Sequence, residues 1–371
     1  MRVPFIDLKA QYNEVKEQID TSVAEILSSG AYVLGKYNQQ LETEIAARHR
    51  VNHAICVNSG TDALRIAMQA CDIQPGDEVI TTAFTFVATV ETVAQIGATP
   101  VFVDIDPITF NLDPEQVEKA ITPRTKAILP VHLFGQLCDM TALTEIANRH
   151  GLHILEDGAQ VILGEHKGVP TGNWGRVSGI SFYVTKNLGA AGDGGMILTN
   201  DPEVDRRCRS IRIHGMGRER YYYDEMGFTS RMAELQAAVL CAKLTRLEDW
   251  TKRRQEVAAA YLDRLAGVPG LRLPATLEGN NHVWHQFTVC TPQRDELMAH
   301  LTAQGVASAI FYPVPIHLHA PYAHFGHGNG SLPHTEEVSL QCLSLPVHQH
   351  MTDEQVDIVV EAITSFSTAR V

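Results

Sequence analysis

No two cysteines of this 371-residue chain are spaced as CxxC. The seven present, Cys56, Cys71, Cys138, Cys208, Cys241, Cys290 and Cys342, are scattered and odd in number. That argues against a disulfide framework and fits reduced thiols used as small buried hydrophobes. The chain also lacks any run of about 18 apolar residues, so no membrane span is expected. Its first residues, Met1-Arg2-Val3-Pro4-Phe5-Ile6-Asp7-Leu8-Lys9, are interrupted at once by charge, and no signal-peptide apolar stretch is read there. The cytoplasm is the expected location. Basic residues are in deficit: 30 Lys and Arg stand against 43 Asp and Glu, a formal net charge of −13. Such a balance suits no nucleic-acid backbone, although a phosphorylated small molecule needs only a few local cations. There is no internal repeat and no low-complexity tract.

What remains is an ordinary globular composition, 44% hydrophobic and 20% charged, which excludes disordered and collagen-like classes. Between about residues 50 and 200, short apolar runs alternate with helix-length segments. Ala54–Val57, Glu78–Thr81, Pro100–Val103, Ala127–Val131, His153–Leu155, Ile180–Val184 and Met196–Thr199 read as strands. Apolar β-branched runs separated by helices indicate an α/β fold with a mostly parallel sheet. Met232, Leu235, Val239, Leu240, Leu244 and Leu247 form a helical stripe over 232–250. Beyond it Gly267, Pro269 and Gly270 break the pattern, and a smaller α+β segment is expected. The boundary is placed near 245, giving units 1–245 and 246–371. The His-, Gly- and Pro-rich stretch His317–His334 reads as a surface loop.

Parallel α/β sheets carry their sites at the carboxyl ends of strands, so the residues after each strand matter most. After Val57 comes Asn58-Ser59-Gly60-Thr61, leading into a helix near Asp62. Glycine lets a ligand approach the backbone, and the helix start offers free N–H groups, which suits a phosphate. A plain helix N-cap explains the same residues. After Leu155 comes Glu156-Asp157-Gly158-Ala159-Gln160. A carboxylate there can hold a positively charged nitrogen, cap a helix or ligate a metal. Lys186 follows the run ending at Val184. Partial burial would free its amine as a nucleophile, whereas a surface lysine opening a loop is the plainer account. The set says more than its members. A lysine, a carboxylate, an anion cradle and an aromatic from Thr81–Phe86 match what pyridoxal 5′-phosphate (PLP) requires.

With these residues in view, the chain resembles the DegT/DnrJ/EryC1/StrS family of fold-type-I, PLP-dependent sugar aminotransferases. The matching stretches are FIDLKAQY (5–12), NSGTDAL (58–64), GDEVITTAFTFVAT (76–89), HLFGQ (132–136), EDGAQ (156–160), SFYVTKNLGAAGDGG (181–195), SRMAELQAAVL (230–240), YPVPIHLHAPY (312–322) and LSLPVH (343–348). The resemblance implies a large PLP-binding domain with a mostly parallel central sheet and a small C-terminal domain. It implies that Lys186 holds the cofactor covalently and moves the proton, and that Asp157 pairs with the pyridinium nitrogen. Gln160 would face the ring's 3-oxygen and Phe86 would stack on the ring. Ser181, Gly60 and Thr61 would hold the phosphate. The family has Asn where this chain has Thr229, at a position directed to the neighbouring subunit's cofactor phosphate in a homodimer with shared sites. The implied reaction moves an amino group from an amino acid, L-glutamate by analogy, to a 3- or 4-keto group of a nucleotide-linked sugar, through pyridoxamine 5′-phosphate.

For the sugar nucleotide, Arg231, Tyr312 and His317 are candidate contacts. Arg212, His214, Arg218 and Arg220, interleaved with Tyr221–Tyr223, read equally as a substrate-facing loop or a solvated charged one. A cyclitol ketone as acceptor and a PLP-binding regulator without transaminase activity are the alternatives. Sugar dehydratases of this fold carry histidine in place of the lysine, which Lys186 argues against. A nicotinamide dehydrogenase is disfavoured because Gly192-Asp193-Gly194-Gly195 is not GxGxxG and precedes a strand. His317/His319 and His348/His350, with His324, His327 and His334, alternate like metal ligands but lack a partner pattern, so no metal is expected.

Overall fold

The computed structural model describes residues 2–325 and 328–368; His327 lies outside them. Seven strands form the main sheet: β1 (His53–Val57), β2 (Glu78–Thr82), β3 (Thr99–Val103), β4 (Thr125–Ile128), β5 (His153–Asp157), β6 (Val177–Ser181) and β7 (Gly195–Thr199). Their spatial order is β1-β7-β6-β5-β4-β2-β3. From β6 through β3 all neighbours are parallel, whereas β7 runs antiparallel to both β6 and β1. The sheet is thus mostly parallel, as the alternation of apolar runs and helices requires.

The strands are near-continuous apolar runs because both faces are covered. One cover is the helix Gly60–Ala70, which buries Ala63, Leu64, Ile66, Ala67, Met68 and Ala70 and packs over β6 and β7. Each large apolar side chain removed from water there contributes about 1.5–3 kcal/mol. Helices Lys36–His49 and Glu234–Leu244 pack against each other. A second hydrophobic core joins Val257, Tyr261 and Leu265 to Phe287, Leu301, Leu343 and Val359, and Val3 from the start of the chain packs into it.

Three local expectations are corrected. The stripe over 232–250 is two helices, Glu234–Leu244 and Leu247–Arg264. They part where the apolar residues change partners: Leu244 and Leu247 face the core beside the sheet, while Val257 and Tyr261 face the second core. Arg246, between them, turns its Nε to Glu14 Oε1 at 2.6 Å. The strand read as Ile180–Val184 ends at Ser181, because Phe182–Ala190 closes into a loop of its own. The stretch from His317 is not a plain surface loop. It begins with the short 3₁₀ turns Ile316–Leu318 and Ala320–Phe325, and His317 is buried.

All seven cysteines are free and buried. Among the described residues no helix is long and apolar enough to cross a membrane.

Candidate active site

Strand order brings the chemistry together. Register pairs Asp157 with Gly179 on β6, Ser181 with Gly195 on β7, and Val57 of β1 with that same Gly195. The ends of β5 and β6, the start of β7 and the turn after β1 therefore meet at one sheet edge, where an open parallel sheet places its site. A cavity of about 500 Å³ opens there, lined by Gly60, Thr61, Phe86, Asp157, Gln160, Ser181, Lys186 and Tyr312, among others.

The turn after β1 does both things its sequence allowed. Ser59 caps the helix, its Oγ accepting from Asp62 N at 3.1 Å. Gly60 and Thr61 are left to line the cavity. Glycine is required by close approach: a Cβ on Gly60 would stand 2.7 Å from Ser181 Cβ, and one on Gly195 2.2 Å from the Ser59 carbonyl oxygen.

Two adjacent carboxylates at the end of β5 part company, since successive strand residues face opposite sides of a sheet. Glu156 is fully buried and saturated, accepting from Thr171 Oγ1 at 2.9 Å, Gly175 N at 2.9 Å and Gly172 N at 3.1 Å, with His132 Nε2 at 3.1 Å. Burial opposes its charge, but these bonds hold its carboxyl below the usual range. Asp157 lines the cavity instead. Its Oδ2 accepts from Thr89 Oγ1 at 2.7 Å and its Oδ1 from Ala159 N at 3.1 Å. Burial raises its pKa against the pull of Thr89, Ala159 and the Lys186 charge.

Lys186 sits in a loop closed by backbone bonds from Phe182 N to Gly194 O, Lys186 N to Tyr183 O and Ala190 N to Phe182 O, each 2.8 Å. Side chains pin it further. Lys243 Nζ donates to Gly189 O at 2.6 Å, and Asn187 Nδ2 donates to Val283 O at 2.9 Å while its Oδ1 faces His285 Nδ1 at 3.1 Å. Burial lowers the Lys186 amine to about 8, with Asp157 opposing the shift. Gln160 is oriented by Phe134 N, which donates to its Oε1 at 2.8 Å, and its Nε2 donates to Tyr312 Oη at 3.3 Å. Tyr312 and Phe86 face one another with ring centroids 6.2 Å apart.

Other candidates lie elsewhere. Thr229 is exposed and its hydroxyl is 2.8 Å from His214 Nε2, away from its own chain's cavity. Arg231 is partly buried and does not line the cavity. His317 is buried with Nε2 3.1 Å from Glu336 Oε1, also off the cavity. Sequence reasoning missed Thr89, Asn187, His285 and Lys243 as site-building residues. The one available signal was position: Thr89 lies within the threonine-rich run after β2 and Asn187 directly follows Lys186.

The model of the DegT/DnrJ/EryC1/StrS aminotransferase family matches residues 13–364. The chain belongs to this family. As an aminotransferase-family member it is 47% identical over 99% of its length to the "Pleiotropic regulatory protein" of Geobacillus stearothermophilus, covering 99% of that protein. It is 46% identical over 99% of its length to the dTDP-3-amino-3,4,6-trideoxy-alpha-D-glucose transaminase of Streptomyces venezuelae, covering 96% of it. Among solved structures, that of S. venezuelae DesV in complex with ketimine intermediate matches with a TM-score of 0.96 at 46% identity, covering 98% of each chain.

Proposed function

We propose that this aminotransferase moves an amino group from L-glutamate to the 3-keto group of a nucleotide-linked sugar. The observation that carries the reading is the convergence of Lys186, Asp157, Gln160 and the Gly60–Thr61–Ser181 cradle in one cavity. The S. venezuelae relative, a transaminase of a dTDP-linked 3-amino sugar, supports the acceptor class. PLP is the cofactor, as in solved family members that hold it or its pyridoxamine form. The residues present fit it. Gly60 stands so close to Ser181 that a Cβ would fill the cradle, and among the described residues the buried Asp157 carboxylate accepts two bonds, leaving room for a ring N–H.

When bound, PLP supplies an aldehyde that condenses with amines and a ring that takes up the electron pair released at the neighbouring carbon. The chain does the rest. The helix start at Gly60 and the Thr61 and Ser181 hydroxyls would hold the phosphate. Asp157, fixed by Thr89, would set a negative charge against the ring nitrogen. Gln160, bonded to Tyr312, would face the ring oxygen, and Phe86 would cover one face. Lys186 would take the proton from the donor's α-carbon in the first half-reaction and would deliver a proton to the sugar carbon that acquires nitrogen in the second. A homodimer with shared sites, in which Thr229 serves the neighbour, a division into residues 1–245 and 246–371, and action in the cytoplasm complete the proposal. A purely regulatory role, as the name of the G. stearothermophilus relative suggests, is disfavoured by the complete constellation around Lys186.

The test is the visible spectrum of the PLP-loaded protein. L-Glutamate is expected to bleach the band. Addition of a dTDP- or UDP-linked 3-keto hexose should then restore it and yield an amino sugar by mass spectrometry. A band that persists with every amino acid tried overturns the reading.

A further inference from the structure

Arg254, on the helix Leu247–Arg264, is a buried guanidinium at 3% exposure. Its neighbour Arg253 pairs with Glu256 and Asp353, but among the described residues no carboxylate pairs with Arg254. Its Nη1 donates only to carbonyls, Val347 O at 2.6 Å, Trp284 O at 3.0 Å and, at the limit, His285 O at 3.5 Å. Its Nε has no acceptor among the described residues. Burial lowers its pKa to about 10, so it remains charged at neutral pH. A buried charge without a counter-charge is costly, and an anion from outside would offset that cost.

The surroundings say which anion. A second cavity of about 260 Å³ is walled by Phe5, Ile6, Phe311 and Val347, with Arg254 and Gln286 as polar groups. This chamber shares Tyr183, Thr185, His285, Gln286 and Phe311 with the larger cavity, and Lys186 lines only the larger one. The two cavities are therefore adjacent, and an arm of a substrate reacting at Lys186 would reach Arg254 by passing between the residues they share. Apolar walls suit methylene groups, the guanidinium and an amide N–H suit a carboxylate at the tip, and a nucleotide is too large.

We infer that Arg254 and Gln286 receive the distal carboxylate of the amino donor, so that the site selects a dicarboxylic amino acid. This deepens the aminotransferase reading and rests on it. The competing account is that Arg254 only fastens its helix to the Trp284 and Val347 carbonyls.

The experiment compares wild-type holoenzyme with Arg254→Gln and Arg254→Lys in single-turnover bleaching by L-glutamate and by L-norvaline, which has the same chain length without the distal carboxylate. Wild type should prefer L-glutamate. Arg254→Gln should lose about 30-fold or more with L-glutamate, chiefly in half-saturation, the loss expected for a charge-assisted hydrogen bond. Its rate with L-norvaline should stay within about threefold, and Arg254→Lys should fall between. Equal losses with both amino acids, or none with L-glutamate, overturn the inference. Should the variants not fold, wild type decides alone. Glutarate is expected to compete with L-glutamate about tenfold or more better than butyrate, and equal inhibition overturns the inference. Bleaching by both amino acids without preference removes only this inference, whereas bleaching by neither removes the transaminase reading beneath it.

Discussion

The Thr89 hydroxyl lies 2.7 Å from Asp157 Oδ2 and is itself 2.8 Å from the Thr85 hydroxyl. An ionised carboxylate only accepts, so Thr89 donates its single proton to Asp157 and Thr85 must donate to Thr89. The carboxylate that would face the cofactor ring is thus held by a two-hydroxyl relay from the segment after β2.

Thr89→Val keeps the shape and removes the donor. Stranding one buried carboxylate oxygen is expected to slow single-turnover bleaching by L-glutamate about tenfold, near 1.4 kcal/mol. Thr89→Ser, which keeps the hydroxyl, should stay close to wild type. Stopped-flow absorbance of both variants checks this.

Asp157→Asn preserves size while removing the charge opposite the ring nitrogen. The half-reaction should slow by roughly 10²–10³, as for loss of a main electrostatic group in a site, with melting temperature little changed. A variant as fast as wild type would show that another group faces the nitrogen.

The lowered pKa of Lys186 fixes a pH dependence. Its amine is protonated and unreactive below about 8 and free above it. Capture of PLP by the apoprotein, followed as growth of the visible band, should therefore accelerate as pH rises through about 8 and level off above. An inflection near the ordinary lysine value of 10.5 would show the amine to be solvated. Lys186→Ala should form no covalent band and abolish turnover.

Gly195→Ala tests the packing beneath the cradle. Its Cβ would stand 2.2 Å from the Ser59 carbonyl oxygen, where backbone must shift. Overpacking of this kind costs about 1–3 kcal/mol and should lower the melting temperature. Gly60→Ala meets the Ser181 side chain instead and should act mainly on PLP affinity, measured by equilibrium titration.

Much of this molecule was set by local pattern. Alternating apolar runs and helices determined a mostly parallel α/β sheet, because a strand covered on both faces must be apolar throughout. Gly60 and Thr61, just beyond β1, and Asp157, the last residue of β5, were legible from their place at strand ends, and so was Lys186 a few residues past β6, whereas Ser181 was named only by the family resemblance. Strand pattern alone left Glu156 and Asp157 undivided and the family resemblance named Asp157; which side chain reaches the cavity, a matter of the face each takes at the end of one strand, was shown by the tertiary structure. It alone joined Thr89 to Asp157, 68 residues apart, and placed Arg254 against the loop at Trp284 and His285. It also split the 232–250 stripe and carried His317 away from the cavity. Periodicity records that a residue is buried; strand order and helix docking, settled by packing across the whole chain, determine what it is buried against.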